Sequence, residues 1–78
     1  MEKIAPDVFK KLSIQDKYKL LELRGNFIAS RFHGGHNCHL FALDGFYVEV
    51  FKVLGLNKVQ WIELVGNERT LDSYLDNI

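Results

Sequence analysis

The dipeptide Asp44-Gly45 lies between two eight-residue stretches rich in apolar and β-branched residues, His36–Leu43 and Phe46–Val53. A two-residue hairpin loop of type I′ needs positive φ at both central positions, and Asp-Gly tolerates this better than almost any other pair. The two stretches are therefore neighbouring antiparallel strands, and the turn sets their register. Leu43 falls opposite Phe46, Phe41 opposite Val48 and His39 opposite Val50. Cross-strand partners share a face of the sheet. Phe41, Leu43, Phe46, Val48 and Val50 thus form one strongly apolar face.

The rest of the chain extends this hairpin on both sides. Gly34-Gly35 is a second two-residue turn, which makes Asn26–His33 the strand before it. Gly55 and Asn57 mark a third turn, followed by Lys58–Val65, rich in β-branched and aromatic residues. Upstream the apolar period is helical. Ile14, Tyr18 and Leu21, widened by Leu20 and Leu23, give a stripe over 14–24. Ser13-Ile14-Gln15-Asp16 resembles a capping box at the start of this helix, and Gly25 is placed to end it in a left-handed conformation. Pro6–Leu12 reads as a short helical turn opened by proline. Downstream, Asn67 can cap a last helix whose stripe is Leu71, Tyr74, Leu75 and Ile78. The expectation is one α+β domain over residues 1–78 in two layers. It has an N-terminal helix, a four-stranded antiparallel meander and a short C-terminal helix, with the helices on the apolar face.

The second face is what makes this sequence unusual. Strict alternation places Phe27, Ala29, Arg31, Cys38, Leu40, Ala42, Tyr47, Glu49 and Phe51 there, and Ile28 and Phe32 on the first face. A one-sided sheet would carry Lys, Thr, Glu and Ser in those positions. Trp61 has two placements. An even loop after Val53 puts it on the first face, and a one-residue bulge puts it beside Tyr47 and Phe51. Two short helices cannot cover both faces, and uncovered aromatic surface marks interaction sites. The expected interaction surface is Phe27, Leu40, Tyr47, Glu49 and Phe51, engaged most simply by a second copy of the chain.

Composition narrows the classes of function. A chain of 78 residues buries only about 60% of its unfolded surface, so a partner subunit or a metal would add stability that the core lacks. Ten basic and ten acidic residues cancel, with seven of the basic ones before residue 40. Only Arg31, Lys52 and Lys58 lie near the strand aromatics, too few for a base-stacking nucleic-acid surface. The α-β-β-β-α order is superficially that of double-stranded-RNA-binding domains. Those carry a Lys-rich start to the second helix, and Asn67-Glu68-Arg69-Thr70 does not. No run approaches the ~20 apolar residues of a membrane span. Met1–Pro6 leads into charge rather than an apolar leader, and Cys38 is the only cysteine. A cytoplasmic protein is expected, without nucleic-acid or membrane partners.

The chemistry-bearing residues concentrate at one hairpin tip, His33-Gly34-Gly35-His36-Asn37-Cys38-His39. Imidazole and thiolate are good zinc and copper ligands. The two-glycine register sets His33 beside His36, with Cys38 two residues along on the same face and His39 on the other. His33, His36 and Cys38 are therefore the candidate metal or ligand site. The segment lacks the paired knuckles of specific zinc motifs, so the expectation is no cofactor. For Cys38 as a nucleophile, His36 is the only same-face base close in sequence, and the surroundings supply no obvious oxyanion site or cleft. Glu49 and Glu63 fall as neighbours across the third and fourth strands; paired carboxylates can do acid–base work, but solvated alternating positions explain them better. No enzyme is expected.

Gly45-Phe46-Tyr47-Val48-Glu49-Val50, followed by Leu71-Asp72-Ser73-Tyr74-Leu75-Asp76, resembles a group of short uncharacterised bacterial proteins. The resemblance spans residues 14–78. It implies a free-standing small domain and adds no function.

Overall fold

The computed structural model describes residues 2–56 and 58–75. The elements in order are α1 (Pro6–Lys10), α2 (Ile14–Arg24), β1 (Asn26–His33), β2 (His36–Leu43), β3 (Phe46–Val53), β4 (Lys58–Leu64) and α3 (Glu68–Leu75). The strands form one antiparallel sheet in the order β1-β2-β3-β4, the expected meander. Asn57 of the third turn, Ile78 of the closing stripe and Asp76 of the Leu71–Asp76 motif lie outside the described residues.

Local chemistry accounts for the boundaries. Pro6 opens α1, where its missing N–H costs nothing. The Ser13 hydroxyl accepts the Asp16 N–H at 3.1 Å and starts α2. Asn67 accepts the Arg69 N–H at 2.7 Å at the start of α3. Gly25 ends α2, but not in a left-handed conformation: its φ of −73° and ψ of 150° are extended. Glycine is needed there for space, because a Cβ would stand 2.7 Å from the Leu21 carbonyl oxygen.

The Asp44-Gly45 turn does more than reverse the chain. Asp44 sits at φ 47° and Gly45 at 93°, the primed geometry, and the β2–β3 register follows as expected from Leu43↔Phe46 to His36↔Val53. The Asp44 carboxylate accepts the Ile4 N–H at 2.8 Å and pairs with Arg24 at the end of α2. One turn residue thereby ties the N-terminal segment and α2 to the sheet. Phe9 of α1 and Leu21 of α2 pack on Leu43, Val48, Val50 and Ile62, the core of the first face. His39 joins this face opposite Val50, and its Nε2 is buried without a hydrogen-bond partner among the described residues. Burial, then the neighbouring Lys52 ammonium, holds that imidazole below its usual pKa.

Two irregularities correct the expected faces. Between Phe27 and Ala29 the β1 ladder slips by one residue, so Phe27 pairs with Phe41 on the first face and Ile28 becomes the extra residue. A second slip between Phe51 and Lys52 makes Trp61 the partner of Phe51. The bulge alternative for Trp61 is the one realised, with ring centroids 4.8 Å apart. The larger correction concerns the helices. Only α1 and α2 lie on the first face. Helix α3 crosses the second face, where Tyr74 packs with Ala29, Cys38, Leu40 and Phe51.

The role of Asp44 is testable through charge. The Ile4 hydrogen bond, aided by Arg24, holds its carboxyl below the usual carboxylate pKa. A depressed acid contributes stability that is full above its unfolded pKa of ~3.9 and is lost as pH falls through the lower folded value. Asp44→Asn keeps a residue that tolerates positive φ and removes the charge. It should lower the melting temperature at pH 7, and the gap to the native chain should close as pH falls below about 4, the unfolded carboxylate value, in thermal melts followed by circular dichroism.

Candidate interaction surface

The second face is organised by a charge that the sequence leaves unexplained. Glu49, in the middle of β3, is only 2% exposed. Its carboxylate accepts Arg31 from β1 through Nε at 3.2 Å and Nη2 at 3.0 Å, spanning β2. It also accepts the Tyr74 hydroxyl of α3 at 2.6 Å. The Arg31 guanidinium in turn lies 5.2 Å over the Tyr74 ring. A buried carboxylate needs such partners, since removal from water costs several kcal/mol per ion. Burial, then the bond to Glu49, pushes the Tyr74 phenol well above its usual pKa, so it stays a donor. Opposite charges on one face, with one strand between them, were the available sequence signal for the pair. The hydroxyl that joins them comes from a helix expected on the other side.

The expected surface is redistributed accordingly. Leu40, Glu49 and Phe51 are buried beneath α3 rather than open. Phe27 is 56% exposed, but on the opposite face, because of the bulge. Tyr47 is the residue of the five that stays both on the second face and open, at 40%. It lines a groove of about 180 Å³ beside α3 with Ile28, Leu40, Leu71, Tyr74 and Leu75. Ligand pockets usually run from about 300 Å³ upward, so the groove is small for a metabolite. Ile28 and Leu75 are also exposed along it. Outside the groove, Phe32 near the end of β1 is open as well, at 74%.

The hairpin tip does not converge. Cys38 is fully buried under α3. His36 turns to Gln60, 2.5 Å from its Oε1, and its ring packs against Phe51 and Trp61. His33 is exposed. Among the described residues no three His, Cys, Asp or Glu side chains gather as a metal site. Burial, then the Glu49 charge, pushes the Cys38 thiol up to about 11. Activated cysteines shift the other way, toward the thiolate. Glu63 does lie opposite Glu49, as expected, but it is exposed whereas Glu49 is buried, so the two carboxylates share no site.

No known protein family, characterised protein or solved structure matches the chain. No helix among the described residues is long and apolar enough to cross a membrane.

Tyr74 holds α3 in place by packing and by one hydrogen bond to a charged acceptor. Tyr74→Phe should cost about 2 kcal/mol in urea unfolding, the worth of such a bond. Tyr74→Ala should release α3 and expose Cys38. Ellman's reagent at pH 8 should then react with Cys38 far faster than in the native chain, while far-ultraviolet circular dichroism retains the sheet. Equal rates would show that α3 is not what shields the thiol.

Proposed function

We propose that the protein is a non-enzymatic small domain that acts through protein–protein contact, and that its simplest partner is a second copy of itself. One observation carries the reading. After α3 has taken the centre of the second face, Phe27, Ile28, Phe32, Tyr47 and Leu75 remain exposed on β1 and around the groove beside it. Large apolar side chains left open along an edge strand and beside a groove of a small domain point to an interaction site. The open sheet face of the proposed contact is thus the strip from Tyr47 to β1, not the middle of the sheet. Net charge of zero removes a general electrostatic barrier between copies. A single buried thiol fits a reducing cytoplasm.

The reading is checked by multi-angle light scattering on the native chain, from about 5 to 200 micromolar, the range of weak to moderate association. A mass that rises to twice the monomer is expected, unchanged by chelator. A monomer across the whole range excludes self-association, and a dimer that dissociates with chelator would restore the hairpin-tip metal site.

A further inference from the structure

The two edges of the sheet are not equivalent, and the difference selects one of them. On β4 the Ile62 carbonyl accepts Lys17 Nζ at 3.5 Å, and the strand carries Lys58 and Glu63 exposed. Capped carbonyls and edge charges are how sheets block further pairing. On β1 no hydrogen bond outside the β1–β2 ladder reaches the backbone of Asn26–His33 among the described residues. The strand has no proline and no lysine, and its one cation, Arg31, is turned inward to Glu49. Its exposed side chains include Phe27, Ile28 and Phe32.

Resting on the reading of a self-associating domain, we propose that two copies join edge to edge through β1. The ladder is antiparallel and centred on Ser30, with each Phe32 packed on the other copy's Phe27. The bulge makes this register self-complementary. In a symmetric antiparallel pair about Ser30, Ala29 meets Arg31, and both lie on the second face with their β2 partners Leu40 and Cys38. With Ile28 as the extra residue, Phe32 meets Phe27, and both lie on the first face, as their partners Asn37 and Phe41 do. His33 then meets Asn26, again on a common face through His36 and Ala42. Every pair agrees in face, no like charges oppose, and a small exposed serine sits on the two-fold axis. Without the slip at Ile28, Phe27 would lie on the second face and Phe32 on the first, and the two could not meet.

Area sets the strength. Aromatic side chains bury about 150–250 Å² each, so the open portions of the two rings supply roughly 500 Å² across a symmetric pair. Backbone pairing and Ile28 add to this, but the total falls toward the weak end of specific interfaces, below about 1,200 Å². The dimer should therefore assemble in the tens of micromolar rather than the nanomolar range.

Engineered cysteines test the register. Facing residues in an antiparallel ladder have Cα atoms about 4.5–5.5 Å apart, within disulfide reach. Under mild oxidant, Ser30→Cys should convert to a covalent dimer. The native chain, with only buried Cys38, and Glu63→Cys on the β4 edge should not. Phe32→Lys alters an exposed side chain, so circular dichroism should be unchanged, while the dimer dissociation constant rises about a hundredfold because the ring is lost twice. Light scattering of the native chain separates the two levels of the argument. A monomer removes both the edge pairing and the self-association on which it rests. A dimer in which Ser30→Cys fails to link, Glu63→Cys links as fast, or Phe32→Lys leaves association intact overturns the β1 pairing and leaves self-association standing.

Discussion

A buried carboxylate in the middle of β3 decides how this chain is arranged. Glu49 is out of contact with water, and what compensates it is Arg31, two strands away, together with the Tyr74 hydroxyl. Those two partners come from either side of Glu49 in the chain, 18 residues before it and 25 after, so the network draws α3 across the sheet to reach β1. An eight-residue helix has little stability of its own. Its place on the sheet is maintained by the Tyr74 ring among Ala29, Cys38, Leu40 and Phe51 and by the bond to Glu49. The consequence for Cys38 is direct: it becomes a core residue, with its thiol pushed up to about 11 by burial.

The sheet thus divides the molecule into two cores, one under α1 and α2 and one under α3. Neither cover reaches the outer strand β1 in full. Phe27 and Phe32 project on the first face, while Ile28 opens on the groove with Tyr47 on the second. The bulge at Ile28 is the cause of the placements of Phe27 and Ile28, since one inserted residue exchanges the faces of everything on its far side from the Gly34-Gly35 turn.

Much of this was legible in the sequence because it rests on local rules. Asp44-Gly45 and Gly34-Gly35 set two turns whose residues do adopt positive φ, and the β2–β3 register followed from the first of them. The 14–24 helix came from its period and from Ser13. What sequence could not supply was non-local. A β-bulge leaves no mark in Asn26-Phe27-Ile28-Ala29, because the slip answers to packing on Phe41 and not to any turn residue. The side taken by α3 depended on a hydrogen bond between residues 25 positions apart. The expected surface therefore named Tyr47 and Phe27 as residues that do remain open, yet for a face they do not share. Leu40, Glu49 and Phe51 were misplaced because their cover, α3, was assigned to the opposite side.

The edge strands give the clearest reason to connect structure with association. A sheet with two exposed edges has two templates for pairing, and natural chains blunt them with charge, proline or a covering segment. Here β4 is treated in that way, by Lys17 on the Ile62 carbonyl and by its own Lys58 and Glu63. β1 is left with phenylalanines near both ends, and its single cation is withdrawn into the interior by Glu49. The same ion pair that seats α3 therefore also strips β1 of the charge that would protect it. A strand left open in this way is a hazard in a monomer and an asset in an assembly that uses it, and a register in which every residue but the bulged Ile28 finds a same-face partner in the other copy favours the second case.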